Sequence, residues 1–205
     1  MGGTAFLRWT GGALCAAAIL LVVINAGLTP RLPDGAFSEI AASQVFFWRQ
    51  CLAALTAFLM TFGVAGVFFA QANRVSFFGR TAFFVALAGG LALFATEWGQ
   101  IFIVRDLALN NPGALDQLED APGLTPFDIG AIAAFSVFAL GWVLLAISAL
   151  LARVFTRWSA ALLLIAFFIT PALGAFGVWG AAGGSILIGL GWMALGVQLV
   201  RLKPA

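Results

Sequence analysis

Six apolar runs, each long enough to cross a bilayer as a helix, fill most of this chain and leave it little choice of fold. They are roughly Trp9–Leu28, Phe46–Ala70, Thr81–Val104, Ile129–Ala152, Trp158–Phe176 and Val178–Val200. Each has about 19–25 residues, the length a helix needs to cross a hydrocarbon core of about 30 Å. In lipid every backbone polar group must find its partner within the protein, and an α-helix does so segment by segment. Only the tight Gly174–Trp179 stretch divides the fifth run from the sixth. One long broken helix there is the alternative, but about 40 residues is too long for a single crossing. Charged residues make up 9% of the chain and its mean hydropathy is +1.09, so no soluble domain can stand beside the membrane part. The expectation is an all-α polytopic integral membrane protein with six transmembrane helices, a single domain over residues 1–205.

Loop charges set the orientation. With the N-terminus inside, the inner side receives Arg8, Arg74, Arg80, Arg153, Arg157, Arg201 and Lys203, and the outer side Arg31, with Arg49 and Arg105 near the outer ends of spans. Lysine and arginine concentrate on the cytoplasmic side of membrane proteins, which predicts both termini in the cytoplasm. All acidic residues fall outside or in the outer half: Asp34, Glu39, Glu97, Asp106, Asp116, Glu119, Asp120 and Asp128. The first run follows Arg8 as a signal peptide would, but it is about 20 residues long and lacks a convincing small-x-small site, so it reads as a retained helix.

The outer loops are the long ones. In Pro30–Val45, Asp34 followed by Ala36, Phe37, Ile40 and Ala41 predicts a short interfacial helix with Asp34 as its N-cap. In Asp106–Phe127, Asn111-Pro112 reads as a cap and first-turn proline, with Leu115 and Leu118 on one face. Thr125-Pro126-Phe127-Asp128 reads as a capping box that opens the fourth span. The inner loops, Gln71–Arg80 and Arg153–Arg157, are short, which points to function on the outer side.

Glu97 is the one carboxylate inside an apolar run. A charge at mid-helix costs about 2.5–3.5 kcal/mol even on mild scales, so such a residue is paired, packed between helices, or used. Placed by depth, Arg49, Gln50, Glu97, Gln100 and Arg105 form a polar cluster in the outer half, with Asn25 and Thr170 as weaker members. Helical spacing puts Glu97, Gln100 and Arg105 near one face of the third span. The depths of Arg49 and Glu97 differ by roughly 5 Å at 1.5 Å per residue, so a buried ion pair between them is expected. The inner half holds only hydroxyls and Gln198 near an end. A conducting path needs polar groups or water through the full depth, so these groups suit packing or an outward pocket better than translocation.

The chain has no histidine and no tyrosine. That removes the usual haem and zinc ligand and the base nearest neutral pH. Intramembrane aspartyl chemistry needs two carboxylates at depth, and only Glu97 qualifies. Cys15 and Cys51 sit near opposite faces and outside any C-x-x-C pair, so neither disulfide nor metal is expected. Cys51 beside Arg49 and Gln50 reads as an apolar filler. No catalysis and no cofactor are expected, and the scattered basic residues suit no nucleic acid.

Two internal echoes stand out. Arg8-Trp9-Thr10 opens the first span and Arg157-Trp158-Ser159 the fifth; Leu140-Gly141-Trp142 lies in the fourth and Leu190-Gly191-Trp192 in the sixth. Arginine plus tryptophan is also what an inner interface selects, without any duplication. Trp142 and Trp192 fall near mid-membrane, and their glycines predict close helix contact. Gly63, Gly66, Gly89, Gly90, Gly180, Gly183, Gly184, Gly189, Gly191 and Gly196 predict tight packing within the chain, or self-association or a membrane-protein partner through glycine-rich faces. The lone Glu97-Trp98 in a glycine- and alanine-rich helical set resembles many small bacterial membrane proteins, which implies a multi-pass location in a bacterial inner membrane and carries no activity. The reading is a non-catalytic accessory, scaffold or binding subunit in the cell membrane. Its competitor is a small transporter or channel whose outward vestibule contains Glu97.

Overall fold

The computed structural model describes residues 3–119 and 122–202. Asp120 and Lys203, counted above for orientation, lie outside the described residues. Every regular element among those described is helical.

Helix α1 spans Gly3–Val22 and runs on as a π-helical segment, Val23–Leu28, and a 3₁₀ turn, Thr29–Arg31. The short α2, Phe37–Ala42, precedes α3, Gln44–Gln71. Helix α4, Phe77–Gly99, continues through a second π-helical segment, Gln100–Val104, into α5, Arg105–Asn110. Then come α6, Pro112–Glu119; α7, Pro126–Ala152; α8, Arg157–Gly174; and α9, Gly177–Arg201. Six of the resulting helical stretches are long and apolar enough to cross a membrane. Gly177, at φ 72°, turns the chain between α8 and α9, so the last two runs are separate crossings. The third crossing is longer than its apolar run, Phe77–Asn110, because the helix does not stop at the first charged residues.

Side-chain caps start α3 and α7. Ser43 Oγ accepts from the Phe46 N–H at 3.1 Å and starts α3. Thr125 and Asp128 form the expected capping box on α7, with Pro126 in its first turn. One cap differs from expectation. Residue Ala36, not Asp34, is the N-cap of α2, and its side chain makes no capping bond. Asp116 of α6 serves instead: Ser38 N–H donates to Oδ1 at 3.1 Å and Ser38 Oγ to Oδ2 at 2.9 Å. The carboxylate that satisfies the helix start lies 78 residues further along the chain.

The spans form three consecutive hairpins, α1–α3, α4–α7 and α8–α9. Contacts of α3 with α4, of α7 with α8 and of α9 with α1 close them into a ring. The second helix of each hairpin faces the middle: 44% of the apolar window is buried in α3, α7 and α9, against 28, 28 and 22% in their partners. Trp142 and Trp192 meet there at 5.3 Å between rings, both essentially inaccessible, with Phe138 edge-on to Trp192 and Met60 of α3 fully buried.

Glycines let these helices touch through their backbones. A Cβ on Gly89 would run into the Phe138 backbone, and one on Gly141 into the backbone of Ala86. A Cβ on Gly11 would come within 2.7 Å of the Gly196 carbonyl. Of the ten glycines singled out above, Gly183 alone looks onto open space; the others press against neighbouring atoms of this chain. The internal-packing reading therefore accounts for these faces. The Gly-Trp echo has a common use, since Gly141 and Gly191 face their hairpin partners while the adjacent tryptophans fill the centre. Trp9 and Trp158 are 73 and 85% exposed, as interface anchors are, while the following Thr10 and Ser159 are buried.

The bundle is polar in charge along its length. One end, the acidic end, carries Asp34, Glu39, Asp106, Asp116 and Asp128; the other, the basic end, carries Arg8, Arg74, Arg80, Arg153, Arg157 and Arg201.

Candidate functional site

Helix α3 sets the site through its buried stripe. Phe46, Gln50, Ala54, Ala57, Met60, Val64, Val67 and Gln71 recur at helical spacing and all face inward. A glutamine therefore sits towards either end of an otherwise apolar stripe (Ala, Met, Val, Phe), and each is fully buried.

Towards the acidic end, Gln50 joins three spans. Arg49 Nε donates to Thr29 Oγ1 at 3.0 Å, at the end of the first π-helical segment. The Thr29 hydroxyl in turn donates to the Ile24 carbonyl at 3.1 Å. Arg49 Nη1 donates to Gln50 Oε1, and Gln50 Nε2 donates to Gln100 Oε1, at the start of the second π-helical segment. Both irregular segments thus lie against the same polar chain, Thr29–Arg49–Gln50–Gln100. Single π-helical turns inside α-helices are rare and often sit at functional sites.

Arg49, Gln50 and Gln100 come together as their depths predict, and Thr29 joins them as a member that depth alone does not mark. Glu97 does not join by a bond. Its Oε2 is buried and has no hydrogen-bond partner. Among the described residues no hydrogen bond or ion pair connects it to Arg49, whose charge acts on it only through space. The expected Arg49–Glu97 pair is therefore corrected: the guanidinium reaches across to span one and along to Gln50, not down to the carboxylate. Arg105 lies elsewhere. Its Nη1 donates to the Ser43 carbonyl at 2.8 Å and its guanidinium covers the Phe47 ring at 4.8 Å, pinning the start of α3. Asn25 donates to Leu21 O and Thr170 to Ala166 O, both one turn back in their own helices. Thr170 also packs on Gly184.

The half towards the basic end is less apolar than expected. Gln71 Nε2 donates to Ser148 Oγ of α7 at 3.4 Å in the core, and among the described residues neither Gln71 Oε1 nor, at the middle of the bundle, the indole N–H groups of Trp142 and Trp192 have a partner. The apolar run stops at Ala70, so Gln71 reads from sequence as the first loop residue. Its spacing of four from Val67 and seven from Val64 is the signal that it continues their buried stripe.

Two cavities open in the half towards the acidic end. One, of about 370 Å³, lies at the acidic end between α2, the end of the third span, α6 and the start of α7. Ile103, Val104, Leu107, Leu115, Leu118 and Phe127 give it apolar walls, and Thr125 and Asp128 its polar edge. The other, of about 700 Å³, is a groove between α4 and α7 floored by small residues, including Ala88, Ala92, Ala95, Gly130, Ala131 and Ala134. Gly99 and Phe127 line both. No group of three His, Cys, Asp or Glu side chains able to hold a metal ion occurs among the described residues. No protein-family model matches the chain, and neither a curated protein nor a solved structure matches it.

Proposed function

We propose that this integral membrane protein is a non-catalytic binding subunit of the cell membrane, with both termini cytoplasmic and its acidic end facing out. The observation that carries this reading is the position of the 370 Å³ cavity, which opens at the acidic end and is walled by loop helices and two spans. Its size suits a small ligand or one group of a larger one. The middle of the bundle supports binding over passage, because Trp142, Trp192, Met60 and Leu145 fill it with essentially no accessible surface. Orientation rests on the arginines of the short turns at the other end. The competing transporter reading has one observation in its favour, the buried and unpartnered Glu97 Oε2.

Substituted-cysteine labelling tests the outward cavity. Cys15 and Cys51, both free, are first replaced by alanine. In intact cells an impermeant maleimide should then modify Asn111→Cys and the cavity-wall variant Leu118→Cys, and should leave Ser76→Cys unmodified until the membrane is opened. All three positions are exposed on the protein. Labelling of Ser76→Cys alone inverts the orientation and with it the outward site.

A further inference from the structure

We propose that the cavity and the groove are one site for a single amine-headed phospholipid, phosphatidylethanolamine, of the leaflet at the acidic end. One acyl chain lies in the groove between α4 and α7, and the ammonium group sits at Asp128. The inference rests on the outward binding reading above and names its ligand.

The two cavities adjoin at Gly99 and Phe127, which line both. The groove ends at depth, because α4 and α7 close to backbone contact at Gly89 and Phe138. From Ala88 to Gly99 it therefore runs about 16 Å at 1.5 Å per residue. That is close to half of a hydrocarbon core of about 30 Å, the depth of one leaflet. A partner helix would need a face along the whole span; a chain from one leaflet needs only this half. Its floor of alanines and glycines presents an apolar surface to such a chain.

Charge selects the head. Among the described residues Asp128 is the one ionisable side chain that lines the cavity, and Asp106 is exposed on the same end. Of the arginines towards this end, Arg105 is engaged with Ser43 and Phe47 and Arg49 within the polar chain, and Arg31 is exposed but does not line the cavity. An anionic head would meet a negative edge with no cation among the described lining residues. A head carrying an ammonium group can donate to the Asp128 carboxylate while its phosphate stays in water.

The test is lipid retention on the full chain reconstituted in nanodiscs of equal phosphatidylethanolamine, phosphatidylglycerol and phosphatidylcholine, released and read by native mass spectrometry. Wild type should hold one phosphatidylethanolamine, with about tenfold preference over phosphatidylglycerol, the ratio one charge-assisted hydrogen bond supplies. Gly99→Leu and Gly130→Leu should lose it, because a Cβ at either position meets nothing within 4 Å and the added side chain enters the site without displacing the fold. Gly12→Leu, equally open but remote, should retain it. Asp128→Asn, which can still accept from Thr125, should keep a lipid and lose the preference. Retention that ignores the head group overturns the amine assignment and leaves the binding reading. Loss of a co-purified protein, with no lipid retained, from Gly99→Leu overturns the lipid and leaves an outward site for a protein. No retained molecule and no effect of either blocking variant overturns both.

Discussion

Gly141→Val should cost the folded protein about 3 kcal/mol or more in detergent, the upper range for forcing bulk into a packed interior. The reason is what the new atoms would strike. A Cβ at Gly141 meets the backbone of Ala86 and Val85 on α4, and backbone cannot swing aside as a side chain does. The neighbouring helices are held reciprocally at Gly89 against Phe138, so relief at one contact strains the other. Trp142 follows directly and would be carried out of its contact with Trp192, which lies at the centre of the bundle. Gly12→Ala is the control. It is a helical glycine with nothing within 4 Å of an added Cβ. Alanine there should leave stability unchanged or raise it by up to about 1 kcal/mol through helix propensity. Thermal unfolding followed by size-exclusion chromatography checks both. Equal effects of the two substitutions would contradict the backbone contact of α4 with α7.

Gln50→Leu should be nearly as damaging. Gln50 is fully buried and is both acceptor for Arg49 and donor to Gln100. Leucine keeps most of the volume but strands a guanidinium N–H and an amide oxygen. Each stranded buried group costs about 1–3 kcal/mol, and more where it is charged. The loss should therefore be about 3 kcal/mol. Arg49→Met should lose a comparable amount and, combined with Gln50→Leu, show coupling, because the two variants disrupt one network. Glu97→Gln should differ from both. Its Oε2 has no partner to lose, so the change should stay within about 1 kcal/mol and couple only weakly to Arg49→Met. Strong coupling between positions 49 and 97, with little between 49 and 50, would restore the direct ion pair in place of the Thr29–Arg49–Gln50–Gln100 chain.

The parts legible from sequence are those fixed by short-range chemistry. Six crossings follow from run length, the α7 start from Thr125 to Asp128, and the acidic and basic ends from the placement of charges. The side chains of the site were legible by depth and not by partner. Arg105 shows why. A shared face suggests a partner, but Arg105 lies eight residues beyond Glu97, about 12 Å further along the helix at 1.5 Å per residue, so it reaches Ser43 and Phe47 at the start of α3. The π-helical segment Gln100–Val104 lies between the two and carries Gln100 to Gln50. The first π-helical segment, Val23–Leu28, precedes Thr29, the unforeseen partner of Arg49. Nothing in a hydrophobic pattern marks such a segment. The α2 cap was hidden for another reason: Asp116 is distant in sequence, and only the docking of two outer loop helices brings it to Ser38.

As a binding subunit, the bundle should take its ligand at the acidic end and should not conduct. Proton and monovalent-cation flux into proteoliposomes, driven by an imposed membrane potential and read with an enclosed pH- or ion-sensitive dye, tests it most directly. Flux should equal that of protein-free vesicles, for wild type and for Glu97→Gln alike, because Trp142 and Trp192 close the middle. A protein-dependent flux that Glu97→Gln abolishes, while the folded yield is unchanged, would contradict it and place the Glu97 carboxylate in a conducting path.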